Sequence, residues 1–507
     1  MRLFETLILV TVFSSLVSYL FAATTKLSRF RAYLPCLATL FITVHLVLER
    51  YRWQMLPLYA LTILLLMVGL FQLKHRASAD PGELPSRTRR LLVGAAAVLG
   101  ILVLALATWV LIQFPVLRLP PPTGLHTVGT TFVRFSDSER PETLTDDPSD
   151  IRSFTARVWY PAELPARAKP MAYQEHSPPV GSISPGPPAF AFSHLHLSKS
   201  NSYLDAPVAD SEASYPVLMF SDGFLADFDD YQMLVEELAS HGYIVFSLDN
   251  PYESQSVVQP DGSVVPFTEE HRAGFEQHME IILPLWERFW TSDDVNARNE
   301  ISKEILRSES FMDNVLNIRA ADMSFAVDEL ERMNQGEVQS LLAGRMDLSR
   351  LGIIGHSMGG AVAGQVCLVD GRFKAGVNLD GFQWGDVVEG EITQPFMIMY
   401  SEMFAGANDY ILDRFAKSLY LVKLDGSTHM NFEDAPIMLP ITRIMGMAGP
   451  IAPTRMMQIV NDYLLAFFDR HLNGAAAPLL DGASSPYPEV EFERREQGTG
   501  SGMNLNA

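Results

Sequence analysis

The sequence predicts an α/β domain, a mostly parallel sheet with helices on both faces, preceded by an all-α four-span transmembrane region. Three observations predict it. Short apolar runs alternate with helical segments between residues 215 and 472. One of those runs leads into Gly355-His356-Ser357-Met358-Gly359-Gly360, a glycine-flanked serine at a strand-to-helix junction. Four apolar runs open the chain, at about residues 3–23, 33–48, 56–73 and 91–114.

Each opening run approaches the ~20 residues that a helix needs to cross the hydrocarbon of a bilayer. The second is the weakest, because Pro35 and His45 interrupt it. The first connection carries Lys26, Arg29 and Arg31, and the third carries Lys74, Arg76, Arg87, Arg89 and Arg90. With four spans these two basic loops share a side, which should be cytoplasmic. The domain that follows is then extracytoplasmic, on a multi-pass anchor over residues 1–118. A cleaved signal peptide at residues 1–23 would leave three spans and put the most basic loop outside, so the four-span reading is preferred. No intramembrane Asp, Glu, Lys or Arg suggests transport. His45, the one ionisable group well inside a run, reads as a passive helix-interface residue.

Charge divides the chain at the same place. Residues 1–118 hold 12 Lys and Arg against 4 Asp and Glu, and the remainder holds 26 against 55. The acidic part is a poor partner for nucleic acid. Cys36 and Cys367 fall on separate apolar helices, so no disulfide is expected between them. Nothing in the sequence sets the oligomeric state.

A stiff linker, residues 119–127, contains Pro120-Pro121-Pro122. The catalytic domain is assigned to 128–474. It opens with strand-like runs at 130–135 and 154–160. Residues 161–214 are rich in Pro, Ser, Ala and His and read as a long surface excursion, a candidate cover for the site. His194 and His196 within it read as exposed histidines rather than a metal pair. Strands are then expected at 215–220, 243–248, 351–354, 375–379, 396–400 and 419–424. Helices are expected at 231–241, 361–369 and 459–472, with more than one in 267–336. The tail, 475–507, is rich in Gly, Ser, Pro and charge and is expected to be disordered.

A serine hydroxyl needs a base within hydrogen-bond reach, and the base needs an orienting carboxylate. In the strand–elbow–helix arrangement the chain order is Ser, acid, His. Only His429 and His471 follow Ser357. His471 lies on the closing helix. His429 lies in Gly426-Ser427-Thr428-His429-Met430-Asn431-Phe432, directly after the last expected parallel strand, where the base belongs. Two acids stand at strand ends: Asp380 in Asn378-Leu379-Asp380-Gly381, and Glu402 in Met399-Tyr400-Ser401-Glu402. Pattern alone leaves both open. The oxyanion hole needs two backbone N–H groups. Met358, after the serine, supplies one. Phe224, in Ser221-Asp222-Gly223-Phe224, is the natural second.

Together these pieces, with Val158-Trp159-Tyr160-Pro161-Ala162 and Ala239-Ser240-His241-Gly242-Tyr243, resemble the plasma/isoform II type of platelet-activating factor acetylhydrolase, within the α/β-hydrolase superfamily. The resemblance runs from about residue 128 to 472. It selects Asp380 as the acid and leaves Glu402 in a supporting role. It implies Ser357, Asp380 and His429 as catalytic residues and Phe224 and Met358 as oxyanion donors. It also implies an ester hydrolase with no metal or cofactor, acting on short or oxidised sn-2 acyl chains of phospholipids. The sequence departs from the family at Asp222, where the usual segment is Ser-His-Gly. General carboxylesterases and polyester hydrolases share this core, so they remain alternatives. So do a membrane-anchored acyltransferase using the same acyl-serine and a non-catalytic sensor on the same fold. Membrane proximity would bring lipid esters to the domain.

Overall fold

Alternating buried runs and helices appear as expected in the computed structural model, which describes residues 1–21, 27–76, 87–164, 168–174, 189–253, 256–258, 263–292, 294–308, 311–482 and 486–496. Contacts divide the chain into two units. One comprises Met1–Leu117, Phe190–Ser198 and Met438–Ile441, and the other holds the rest.

The first unit is built on α1 (Leu3–Leu20), α2 (Leu27–Leu48), α3 (Leu56–Arg76) and α4 (Arg87–Gln113). Among the described residues, three segments, Leu3–Leu20, Trp53–Gln72 and Arg87–Gln113, are long and apolar enough to cross a membrane, and Tyr33–Leu48 is a shorter apolar helix. Ile8, Val12, Leu16, Leu58, Leu104 and Leu111 pack inward. Gly100 lets α4 close on α1, since a Cβ there would lie 2.6 Å from Leu16 Cδ2. Leu91, Leu99, Leu102 and Leu106 face outward and are exposed.

One expectation for this unit fails. Glu5, inside the first apolar run, is fully buried. Arg52 Nη2 and Arg2 Nε each donate to its carboxylate at 2.8 Å. Arg52 Nη1 also donates to the Phe114 carbonyl at 2.8 Å. His45 does not stand alone either, because its Nδ1 lies 2.9 Å from Glu49. An apolar interior tolerates such charges only as pairs, and this set ties the ends of α1, α2 and α4 together.

The second unit is a ten-stranded sheet. Its strands are β1 (Thr127–Pro141), β2 (Ile151–Ala162), β3 (Ser202–Leu204), β4 (Tyr215–Ser221), β5 (Ile244–Leu248), β8 (Met346–His356), β9 (Ala375–Leu379), β10 (Phe396–Ser401), β11 (Leu419–Leu424) and β12 (Val490–Arg495); a separate hairpin is formed by β6 (Ser256–Val258) and β7 (Val264–Pro266). The order is β12-β11-β10-β9-β8-β4-β5-β2-β1-β3. The six strands from β11 to β5 are mutually parallel. They read as continuous apolar runs because both faces are covered. The helices are α5 (Gln232–Ser240), α6 (Glu269–Thr291), α7 (Val295–Arg307), α8 (Phe311–Asn334), α9 (Met358–Val369) and the closing α10 (Pro453–Leu472). Side chains alternate across the sheet. Leu351 and Ile353 join Val362 and Val366 of α9 in one core. Gly352, on the other face of β8, admits Phe468 of α10; a Cβ there would lie 2.7 Å from the ring. Burying each such aliphatic or aromatic side chain contributes about 1.5–3 kcal/mol.

Two sequence expectations are corrected, those for the tail and for His194. Residues 490–495, expected in a disordered tail, form β12, which pairs antiparallel with β11. Phe492 packs 6.0 Å from Tyr463, so apolar residues at alternate positions cover the open sheet edge despite the charge around them. The proline segment is hydrogen-bonded near both of its ends. Leu119 N–H donates to Lys199 O at 2.9 Å, and Gly124 N–H to Ser240 Oγ at 3.0 Å. The excursion divides as well: Phe190–Ser198 groups with the helical unit, whereas β3 pairs with β1. His194, expected to be exposed, is buried against Phe114 and makes its Nδ1 hydrogen bond to Ala191 O at 3.0 Å. Residues 165–167 and 175–188 of the excursion, and 497–507 of the tail, lie outside the described residues.

The turn before α5 concentrates Asp227, Asp229 and Asp230. Asp229 pairs with Arg157. Burial, and then the Asp227 charge, push the Asp230 carboxyl up to about 7.

Two outcomes follow. Arg52→Leu should destabilise the protein in detergent by about 3–5 kcal/mol, because Glu5 is left buried and unpaired, and adding Glu5→Met should recover most of that; thermal unfolding of the single and double variants measures both. A carboxyl whose pKa is raised on folding gives stability that is present below its unfolded pKa and is lost as pH rises through the folded one. Asp230→Asn should therefore flatten the fall in Tm between pH 5 and pH 8, and an unchanged slope would rule out this source.

Candidate active site

β8 ends at a turn that no ordinary residue pair could flank. Ser357 takes φ 56° and ψ −120°, a conformation L-residues rarely adopt. Its neighbours enforce it. A Cβ on Gly355 would lie 1.8 Å from Gly359 O, and one on Gly359 would lie 2.0 Å from Ser221 O. Ser357 N–H donates to Leu379 O at 2.9 Å. The serine precedes α9, yet its side chain makes no capping bond to the helix, so the hydroxyl is not committed there.

Asp380 ends β9, also at positive φ, 55°. Parallel register places Leu379 opposite Met399, so the longer β10 brings Ser401 to the Asp380 carboxylate. Ser401 N–H donates to Oδ1 at 2.5 Å and Ser401 Oγ to Oδ2 at 2.8 Å. His429 Nδ1 stands 2.8 Å from the same Oδ2. A carboxylate oxygen accepts, so Nδ1 donates to it and Nε2 is left for another partner. The Phe404 ring packs 5.0 Å from the imidazole. Asn431 Oδ1 accepts from Thr428 N–H at 2.8 Å and holds the His429 turn. Of the two acids that pattern left open, the other is elsewhere: Glu402 is exposed and accepts Gly426 N–H at 2.7 Å. His471 is not at this site. It packs on Tyr420, and burial together with Arg470 and Arg494 pushes its ring down to about 4.

The loop after β4 completes the site. A Cβ on Gly223 would lie 3.4 Å from Ser357 Cβ, which puts this glycine beside the serine. Among the described residues, neither Phe224 N–H nor Met358 N–H donates to a protein acceptor. Both are therefore available to a ligand. The Phe224 ring sits in an aromatic group, with Phe275 at 5.2 Å and Phe311 at 5.8 Å.

His356 links this loop to His429. It is buried, and burial with the nearby His429 holds it well below the ordinary histidine range, so it is neutral. Its Nε2 lies 3.2 Å from His429 O, which can only accept, so Nε2 carries the proton. Nδ1 then accepts from Tyr231 Oη at 2.8 Å, and Tyr231 Oη accepts Gly223 N–H at 3.1 Å. Sequence reasoning missed Ser401 and Tyr231. Ser401 was visible beside Glu402, but only strand register shows which of the two reaches Asp380. Tyr231 carried no local signal, because its partners are distant in sequence.

The arrangement suits acyl transfer: a partly exposed serine, an imidazole oriented by a buried carboxylate, and two uncommitted N–H groups. The comparisons agree in kind. The model of the family "Platelet-activating factor acetylhydrolase, isoform II" matches residues 190–477, more than half of the chain. A platelet-activating factor acetylhydrolase of Cavia porcellus is 29% identical over 287 residues, covering 53% of this chain and 60% of that protein. A probable 1-alkyl-2-acetylglycerophosphocholine esterase of Arthroderma benhamiae is 23% identical over 300 residues, covering 55% and 66%. The chain thus spans less than two thirds of the length of these relatives. The solved structure of a ferulic acid esterase from Streptomyces cinnamoneus superposes with a TM-score of 0.56 at 26% identity, over 74% of this chain and 99% of that one. Site geometry and family match together place this chain in the platelet-activating factor acetylhydrolase, isoform II, family.

Proposed function

We propose that the protein is a serine ester hydrolase that cleaves short or modified acyl esters, with sn-2 acyl chains of phospholipids as its substrate class. The observation that carries this reading is the 2.8 Å contact between His429 Nδ1 and Asp380 Oδ2, beside a serine held at φ 56°. His429 Nε2 takes the Ser357 proton as Oγ attacks the ester carbonyl. Phe224 and Met358 N–H groups receive the charge that develops on the oxygen, each worth roughly 3 kcal/mol. Asp380 steadies the imidazolium. The imidazolium then protonates the leaving alcohol, and water, activated by the same His429, releases the acid from the acyl-serine.

The phospholipid class rests on the family and on the names of the two relatives above. The helical unit supports it physically. Its exposed leucines need an apolar surrounding, and we place it in a bilayer as a multi-pass anchor of four spans. The basic connections put the catalytic domain outside the cytoplasm. A domain anchored in this way meets lipid esters at high local concentration.

Ser357→Ala should reduce p-nitrophenyl acetate hydrolysis by about 10⁶-fold, to background; persistence of activity would refute the nucleophile. Asp380→Asn should lower kcat by about 10³–10⁴-fold, and Glu402→Gln by less than about tenfold; the reverse ranking would move the acid to Glu402. For substrate class, full-length protein in liposomes should release the sn-2 chain of a short-acyl phosphatidylcholine faster than it hydrolyses a soluble ester of equal acyl length. Equal or inverted rates would remove the lipid assignment and leave a general carboxylesterase.

A further inference from the structure

An oxyanion donor acts only if its N–H is aimed at where the charge develops, and errors of about 1 Å cost catalysis heavily. Phe224 stands in a loop without regular structure, so something must hold that loop. Three bonds do. Arg319, on α8, donates from Nη1 to the carbonyl oxygen of Asp222 at 2.9 Å. Tyr231 Oη accepts the N–H of Gly223 at 3.1 Å. Ala226 N–H donates to Gly223 O at 3.2 Å.

The first two bonds grip opposite ends of one peptide unit, Asp222–Gly223. A peptide is planar, so its orientation is then set. The third bond holds the oxygen of the next peptide. In a trans peptide the N–H points away from that oxygen, so Phe224 N–H is directed to the opposite side of the loop.

Arg319 is itself held through Nε and Nη1. It is 1% exposed. Its Nε donates to Glu253 Oε2 at 2.9 Å, and Nη1 also reaches Asp222 Oδ1 at 3.2 Å. Asn250 Nδ2 donates to the same Oδ1. The guanidinium carbon stands 5.9 Å from the Phe224 ring centroid. Asp222 and Glu253 both lie fully buried beside it. The bond to the backbone carbonyl is additional, and a rigid fork of donors can make all of these contacts where a single ammonium cannot.

We infer that Arg319 is a positioning residue that aims the Phe224 N–H through the Asp222 carbonyl, an inference that rests on the acyl-serine reaction proposed above. The aspartate at position 222 belongs to this device: its carboxylate fastens Arg319 behind the loop.

The test uses the full-length protein in detergent with p-nitrophenyl acetate. Arg319→Lys keeps the charge but not the fork. It should lower kcat by about 10–100-fold with KM within about threefold, because the lost interaction acts in the transition state. The pH midpoint of the rate should not move. Arg319→Ala should regain part of its kcat on addition of guanidinium chloride, which a merely structural defect would not do. Tyr231→Phe removes no charge; it frees the other end of the same peptide and also releases His356 Nδ1. It should show the same split between kcat and KM, and it carries the test if the Arg319 variants do not fold. Wild-type kcat in folded Arg319→Lys or in Tyr231→Phe, or a loss confined to KM, would overturn the inference. Ser357→Ala is measured alongside. If hydrolysis survives in it, the acyl-serine reading fails; if hydrolysis is lost there but Arg319→Lys is unimpaired, only the role of Arg319 fails.

Discussion

Everything at this site depends on one strained residue. Ser357 is held at positive φ because its surroundings leave no volume for a relaxed turn. Gly355 meets Gly359 across the turn, Gly359 meets the end of β4, and Gly360 meets Asn378, where a Cβ would lie 2.2 Å from Oδ1. Gly381 closes the fourth side, with a Cβ position 2.2 Å from Ser357 O. These contacts join β4, β8, β9 and α9 at one point. The sheet core stabilises that point, and the strain is a small local cost against it.

Two further chains of bonds extend from the same point. On one side, Ser401 and Asp380 fix the His429 ring. On the other, Tyr231 and Arg319 fix the loop after β4. His356 connects them, since it faces Tyr231 with one nitrogen and the His429 carbonyl with the other. His429, the proposed base, and the loop after β4 are therefore linked by a shared, buried and neutral imidazole. In the proposed reaction this matters because preorganised donors need not reorient as charge develops.

Much of this was legible in the sequence. The elbow, the histidine after the last parallel strand and the two candidate acids all carry local signals: glycines around a serine, and polar residues at the ends of apolar runs. Pattern could not choose between Asp380 and Glu402, because the choice is made by the register of β9 against β10. The resemblance to a family selected Asp380, and that is the acid beside His429. The partners of Arg319 and Tyr231 were not readable, since they come from elements far apart in the chain. Composition misled at the tail, where Val490 and Phe492 outweigh the surrounding charge once an open strand edge is offered. Glu5, inside the first apolar run, escaped the pattern altogether, because its partner Arg52 lies far along the chain.

The most direct measurement of the central claim is to locate a covalent fluorophosphonate adduct by peptide mass spectrometry on the full-length protein. The strained serine should carry a single adduct, on Ser357. An adduct on another serine, or none in a protein that hydrolyses esters, would contradict the account.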